Sequence, residues 1–451
     1  MAAVRFVLND QDVAPEAAPG DMLLDYLRLN RGLTGSKEGC AEGDCGACSV
    51  LVGRVDQGRM TYAPVNACIR PLATCHGQHI VTVEGLAVHG PAPVQQAMVD
   101  HHASQCGFCS PGIAVVLHAL RQQNAAPSIH DIEVALQGNL CRCTGYGSII
   151  AAAQAAGPAD PLAGGNMVAR LAAIAPADSP MIPVDEDALA RAYAASPDAT
   201  LVAGATDVGL WVTKQMRDIA PAIFIGHLMQ GIEDRGDSLR LGAGVTYTRA
   251  APALAALAPA VGPYLQRIGG WQVRNAGTVG GNIANGSPIG DMPPLLIALG
   301  TRIGLRRGDQ RREIPLQDYF LTYGKQDRQP GEFLEYIDIP RPAPGDLVAA
   351  EKVSKRRDSD ITAVAMGFWL RHEGGQITDA RLAYGGLDGI PRRAQGAEAA
   401  LIGQPFTAAT FDAAARAAEG DFTPLTDMRA SAEYRRMLAG NLIRRAWEGW
   451  Q

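Results

Sequence analysis

Cysteine is absent from the chain after Cys143, although nine cysteines lie between positions 40 and 143. That distribution argues against thiols scattered through a core and for an N-terminal metal module joined to a cysteine-free body. Long apolar runs are missing too. The uncharged stretch at residues 250–266 is broken by Pro252, Pro259 and Pro263, and falls short of the ~20 apolar residues a spanning helix needs. The N-terminus "MAAVRFVLNDQDV" reaches acidic residues before a secretory h-region can develop. The expected location is the cytoplasm, where thiols stay reduced and serve as metal ligands or buried groups before disulfides. No basic excess exists either. A net charge of −6 gives no electrostatic footprint for nucleic acid or for an anionic membrane. Neither G-x-G-x-x-G nor G-x-x-x-x-G-K-S/T occurs, so a Rossmann domain and a P-loop are both unsupported. At 451 residues the chain outgrows one core and should hold about three domains.

What is present begins with "GCAEGDCGACSVLVG". Cys40, Cys45 and Cys48 read C-x4-C-x2-C, and Cys68 follows in "VNACIRPL". This is the plant-type 2Fe-2S ferredoxin arrangement; zinc favours paired C-x2-C knuckles instead. Gly39, Gly43 and Gly46 let the backbone wrap closely, so that amide N–H groups can point at the sulfurs and tune the cluster. The segments "VRFVLND" and "SVLVGRV" alternate like strands, and "DMLLDYLRLN" has helical spacing from Met22 to Leu29. Strands plus one helix predict a β-grasp ferredoxin domain with Cys68 as its fourth ligand. Cys75, in "LATCHG", reads as a buried apolar thiol.

A second group comprises "SQCGFCSPGIAVVLHAL" and "NLCRCTGYGSIIAAAQAA". Each joins a close cysteine pair to Ser or Thr and then to a helix-like apolar run. Ser110 before Pro111 makes a good N-cap and first-turn pair, and Thr144 holds the corresponding place after Cys143. Two helix N-termini would then carry Cys106 with Cys109 and Cys141 with Cys143, their positive dipole ends facing the thiolates. "PVQQAMVDHHAS" and "SIHDIEVALQG" add two helices, giving a four-helix bundle. This spacing fits structural zinc as well as iron. His101, His102 and His118 read as surface or capping histidines.

The body is less explicit. Residues 158–180 are rich in Ala, Pro and Gly and read as a linker. In "ATLVAGATDVGLWVTK" a short strand, Leu201 to Ala203, meets a turn at Gly204, and Thr206 with Asp207 can cap the segment after it. Exposed N–H groups there would make a phosphate cradle, although such turns are common. "NAGTVGGNIANGSPIGD", Asn275 to Asp291, reads as a polar glycine-rich loop where backbone approaches a ligand.

The chain resembles the small, iron–sulfur/flavin subunits of bacterial xanthine dehydrogenases, in the molybdenum hydroxylase family. "KEGCAEGDCGACSV", "QCGFCSPG" and "GNLCRCTGYGSI" are near-literal matches to that family's cluster motifs, and the resemblance spans essentially the whole chain. It implies that Cys106, Cys109, Cys141 and Cys143 hold a second 2Fe-2S cluster beside that of Cys40, Cys45, Cys48 and Cys68. It also implies FAD on two loops. Leu201, Val202, Ala203, Gly204, Ala205, Thr206, Asp207 and Val208 would wrap the pyrophosphate, as would Thr278, Gly280, Gly281, Asn282 and Asn285. Asp291, Leu334 and Lys352 match further flavin-contacting positions. Lys355, Arg356 and Arg357 match a loop that in relatives lies near the isoalloxazine and influences NAD access. Where many relatives place an aromatic residue against the flavin ring, this chain has Ile268, with Trp271 nearby. The implied fold class is multidomain α+β. It comprises a β-grasp 2Fe-2S domain (1–80), a four-helix 2Fe-2S domain (81–157), the linker (158–180), an FAD-binding domain (181–344) and a C-terminal sheet-plus-helices domain (345–451). The last shows strand-like "AVAMGFWLRH" and "ARLAYGG" and a closing helix with Tyr434, Leu438, Leu442 and Trp447 near one face.

Two clusters and FAD make a one-electron relay ending at a hydride donor. No segment resembles a molybdopterin domain, so the resemblance implies a large molybdopterin-binding partner subunit, in a dimer of heterodimers, with no substrate-oxidising residue on this chain. Electrons from hypoxanthine or xanthine would pass through the clusters to FAD and NAD+. The alternative is the same relay in an aldehyde or N-heterocycle hydroxylase, but the fusion of clusters and flavin in one chain and motifs such as "YGKQDRQPGEF" favour the purine enzyme. A zinc-stabilised interaction protein is the non-enzymatic alternative.

Overall fold

The computed structural model describes residues 2–451 apart from 88, 89, 163–165, 175, 177 and 178. They form two units, Met1–Leu228 with Gly269–Gly277, and Met229–Ile268 with Thr278–Gln451.

In the first unit a five-stranded sheet runs in the order Gln11–Val13, Phe6–Leu8, His79–Val81, Ser49–Asp56, Arg59–Asn66. Phe6–Leu8 and His79–Val81 are parallel and the other pairs antiparallel. "SVLVG" is buried at every position because both faces of its strand are covered. Val50 and Val52 enter a core with Leu23, Leu24 and Leu27, while Leu51 joins the core of the helical module. The helix read from Met22 to Leu29 is a short turn, Leu23–Asp25, continued as a π-helix, Tyr26–Asn30.

Four helices, Pro93–Asp100, Ser110–Gln123, Ile129–Ala135 and Gly147–Ala155, make the second module. Their boundaries correct two expected caps. Cys109 rather than Ser110 occupies the N-cap position, and the Ser110 hydroxyl donates to Ser104 Oγ (2.7 Å). Thr144 caps nothing, since its helix starts at Gly147 after Tyr146 in a left-handed conformation. His118 is neither surface nor cap: it is buried on the inner face of Ser110–Gln123, where the apolar period of that helix leaves it no exit. His101 and His102 are exposed.

The stretch read as a linker contains a helix, Met167–Ala172, whose Met167 and Leu171 pack on Val7. Arg170 pairs there with Asp10 (2.8 Å) and Asp12 (3.0 Å). Residues 163–165, 175, 177 and 178 of that stretch lie outside the described residues. Residues 181–228 also contribute to the ferredoxin core. Ile182, Val202, Ala205, Ile219, Ala222 and Phe224 pack in one cluster with Cys48, Cys68 and Ile69.

The second unit carries an antiparallel sheet in the order Ile232–Asp234, Ser238–Gly242, Phe333–Pro340, Arg302–Arg307, Gln310–Pro315. A further sheet, Leu347–Val353, Val364–Glu373, Gln376–Gly385 and Arg392–Arg393, is covered by helices Gln395–Leu401, Ala408–Gly420 and Ala432–Gly449. Leu438 and Leu442 enter its core and Trp447 packs at its edge, but Tyr434 is exposed. The face turns instead through Ala439, Ile443 and Ala446.

Candidate cofactor sites

The Cys40–Cys48 loop is shaped by positive φ at Ala41, Gly43 and Gly46. The N–H groups of Glu42 and Cys45 both donate to Cys40 Sγ (3.4 Å each), and Asn66 Nδ2 approaches Cys48 Sγ (3.9 Å). Thiol hydrogen bonds from Cys45 and then Cys68 hold Cys40 well below the ordinary cysteine range. As donors, Cys45 and Cys68 are pushed up. Cys68 likewise donates to the buried Cys48 and lowers it. Cys45 and Cys68 thus each face Cys40, and Cys68 also faces Cys48.

The second set gathers in cross pairs. Cys106 is lowered, first by the Phe108 N–H and then by the thiol of Cys143. Burial, then donation to Cys141, pushes Cys109 up to about 12. Burial opposes the ionisation of Cys141, but hydrogen bonds from Thr144 and Cys109 outweigh it. Thr144, which caps no helix, serves this sulfur instead, with its Oγ1 3.1 Å from Cys141 Sγ. Tyr146, which the sequence reading missed, accepts from the Cys141 N–H (2.7 Å) and donates to Asn139 O (3.0 Å). Its place between two glycines in "TGYGS" was the available signal. Cys106 and Cys143 are exposed.

Among the described residues no three His, Cys, Asp or Glu side chains surround a single ion position. The sulfurs approach in twos. A 2Fe-2S cluster shares four thiolates between two irons, and both sets could hold one. Cys75 is buried and its thiol is raised by burial, as expected of an apolar thiol.

For a flavin, the first segment fits a phosphate cradle. Thr200–Val202 pairs in parallel with Ala222–Phe224 and ends at Gly204, where a Cβ would lie 2.0 Å from Ala276 O. Ala205 has φ +58°. Among the described residues the N–H groups of Gly204, Ala205 and Thr206 donate to no protein acceptor, which suits an anion. Asp207 stands at the N-cap of Val208–Thr213 without a side-chain cap bond.

The expected loop at 275–291 is largely helical. Trp271–Ala276 and Val279–Asn285 are helices, the latter capped by Thr278 Oγ1 on the Gly281 N–H (2.9 Å) and closed by left-handed Gly286. Gly280 lies against Ala243, whose O would be 2.5 Å from a Cβ. The N–H groups of Val279, Gly280 and Asn282 are already bonded to Val245, Ala243 and Thr278. This segment can therefore offer a ligand side chains and the bare surface of exposed Gly281 and Asn285, and little free backbone. Asn282 Oδ1 accepts from the Met292 N–H (3.0 Å).

In the same unit Asp291 Oδ2 pairs with buried Lys352 Nζ (2.9 Å), and Thr362 donates to its other oxygen (2.5 Å). Leu334 is buried in the central strand. Lys355 Nζ donates to Met428 O (2.6 Å), and the Arg356 N–H donates to Asp360 (2.8 Å). Ile268 is buried, and Trp271 packs against the helical module's core.

These domains define an iron–sulfur flavoprotein. Residues 6–72 match the 2Fe-2S iron-sulfur cluster binding domain and 82–154 the 2Fe-2S binding domain. Residues 178–342 match the FAD binding domain in molybdopterin dehydrogenase, and 349–449 the CO dehydrogenase flavoprotein C-terminal domain. The chain belongs to the molybdenum hydroxylase family, carrying its iron–sulfur and FAD electron-transfer domains. It is 31% identical to a xanthine dehydrogenase of Emericella nidulans over 97% of its own length and 38% of the relative's. It is 30% identical to aldehyde oxidase 1 of Rattus norvegicus over 91% and 36%. The chain thus spans well under half of these curated relatives. Carbon monoxide dehydrogenase from Hydrogenophaga pseudoflava matches at 29% identity and TM-score 0.56, covering 59% of this chain and 94% of that one. Quinoline 2-oxidoreductase from Pseudomonas putida 86 matches at 25% and 0.55, covering 59% and 96%. Among the described residues no helix is long and apolar enough to cross a membrane.

Proposed function

We propose that this chain is the electron-transfer subunit of a cytoplasmic xanthine dehydrogenase. What supports the relay is the pairwise approach of sulfurs within each cysteine set, Cys40 to Cys45 and Cys68, Cys68 to Cys48, Cys106 to Cys143 and Cys109 to Cys141, in a chain that also matches the flavin-family domains. Cys40, Cys45, Cys48 and Cys68 hold one 2Fe-2S cluster; Cys106, Cys109, Cys141 and Cys143 hold the other. Leu201 to Val208 cradle the FAD pyrophosphate. Thr278, Gly280, Gly281, Asn282, Asn285, Asp291, Leu334 and Lys352 supply the remaining flavin contacts. When bound, these groups carry single electrons and, at the flavin, a hydride to NAD+. The chain's residues place them, shield the inner sulfurs and leave Cys106 and Cys143 open beside exposed Phe108 and Leu140. That open edge suits electron entry from a molybdopterin-binding partner subunit, in a dimer of heterodimers. A second reading, the same relay in an aldehyde or N-heterocycle hydroxylase, is favoured by the aldehyde oxidase and quinoline oxidoreductase likenesses.

The test is compositional first. About four irons per chain, one FAD and two distinct EPR signals on reduction are expected, since a glycine loop and a helical module set different potentials. Two irons, or zinc in their place, would overturn the relay. The substrate profile of the complex isolated with its partner then decides between purine and the alternatives.

A further inference from the structure

The two cysteine loops touch through backbone. The Leu140 N–H donates to Cys45 O (2.9 Å), and Leu140 is one peptide bond from Cys141. Gly46, next to Cys45, lies on both halves of the second set. A Cβ on Gly46 would be 2.1 Å from Gly138 O, and one on Gly112 would be 2.2 Å from Gly46 O. A closed ring of side chains surrounds this contact. Gln272 Nε2 donates to Ser49 Oγ (3.0 Å) and to Asn139 Oδ1 (2.8 Å). Ser49 Oγ donates to Gly46 O (2.7 Å), and Asn139 Nδ2 donates to the same oxygen (3.3 Å). Ser49 adjoins Cys48, and Asn139 adjoins Leu140. All three side chains are buried, Gln272 to 1% exposure. Hydrogen bonds in so dry a place are short of competitors; Gln272 is held there by its Nε2 bonds alone, its Oε1 being buried without a partner.

We propose that Gln272 is a positioning residue for electron transfer between the two clusters. It acts as a clamp, from a helix that precedes a flavin-family segment in the chain, on the hydrogen bond that links Cys45 to Leu140 and Cys141. The inference rests on the two-cluster reading. With both clusters bound, the seam would serve the passage of one electron from the cluster that Cys106, Cys109, Cys141 and Cys143 would hold to the one that Cys40, Cys45, Cys48 and Cys68 would hold, with no bond made or broken. Electron transfer decays steeply with the gap and with loss of bonded contact, so loosening this seam slows transfer while every ligand stays in place.

Gln272→Met keeps the volume and removes both donors. In the full chain, iron and flavin should be unchanged. The magnetic interaction between the reduced clusters should weaken in the EPR spectrum. Equilibration after flash photoreduction by a deazaflavin, followed by freeze-quench EPR, should slow about tenfold or more. Asn275→Ala, on the same helix but bonded to Pro64 O (2.9 Å), is the structural control and should leave both readouts unchanged. Gln272→Met with Ser49→Ala should be little worse than either alone, because both open one ring. If Gln272→Met does not fold with iron, Ser49→Ala decides by the same criteria. Unchanged rate and interaction, or equal slowing by Asn275→Ala, would overturn the proposal. Wild-type chain with fewer than about four irons would instead remove the cluster reading beneath it.

Discussion

Gly281 is exposed at the start of its helix, and a Cβ there would lie 2.7 Å from Thr278 Oγ1, the capping hydroxyl. A branched side chain would cover the bare surface offered to a ligand and crowd the cap, itself worth about 1 kcal/mol. Gly281→Val should lose most of its FAD while keeping about four irons, because the cysteines belong to the other unit. Full flavin occupancy in that variant would remove Gly281 from the site. His118 gives a prediction of another kind. Burial pushes its imidazole down to about 4 from an ordinary 6.5, against a weaker upward pull from the charge and the backbone of Asp160, and neither ring nitrogen has a hydrogen bond of good geometry. The folded helix resists a proton that the unfolded chain accepts. Its contribution to stability is therefore full above pH 6.5 and drains as pH falls towards 4, by on the order of 3 kcal/mol. His118→Leu removes the titration and the orphaned nitrogens. It should resist urea at pH 5 better than wild type, with a smaller difference at pH 7.5. Equal pH dependence in the two proteins would show that His118 is not the group responsible.

The helix Met292–Ala298 shows why elements, and not residues alone, place Asp291. It lies on two glycines of adjacent strands. A Cβ on Gly367 would be 2.4 Å from Pro294 O, and one on Gly385 would be 3.1 Å from Pro294 Cγ. Gly367→Val must push the helix off the sheet, at about 1–3 kcal/mol for overpacking, and it draws Asp291 away from Lys352. We expect lower thermal stability and flavin loss with iron retained; Gly385→Ala, with a softer neighbour, should do less. Retained flavin with normal stability would show that the helix can shift freely. Neither glycine announced this role in the sequence, since the contact is set by a helix far along the chain. The same limit explains the 275–291 segment. Thr278 and Gly286 are cap residues in plain view, but a seven-residue helix between them carries too few apolar positions for its period to stand out. The cysteine loops were legible because spacing and glycines encode them locally. Gln272 was not, because its partners Asn139 and Ser49 lie 133 and 223 residues away. Thr144 and Ser110 were misplaced as caps because cap chemistry looks alike whether the oxygen serves a helix, a sulfur as at Thr144, or another hydroxyl as at Ser110.

At the scale of the molecule, the first unit unites both cluster modules with one flavin-family segment in continuous cores. The sequence pattern suggests a linker and a separate domain at this point. That continuity bears on what the chain can do by itself. Under the proposed function, everything needed to take a hydride from NADH and release single electrons lies within residues 1–451. In that reading the substrate-oxidising centre lies on the partner. The purified chain should therefore oxidise NADH with an artificial acceptor and show no turnover with xanthine, and adding the partner should restore xanthine-to-NAD+ activity. Cys106→Ser then separates the two directions. Cys106 is exposed at the open edge of the second set, so its loss should remove most xanthine oxidation while sparing NADH oxidation at the flavin. The edge carries exposed Phe108 and Leu140, so the isolated chain is assayed at low concentration to limit self-association. Xanthine oxidation by the chain free of any molybdenum protein would reverse the division of roles. Equal loss of both activities in Cys106→Ser would place that cysteine outside the entry path.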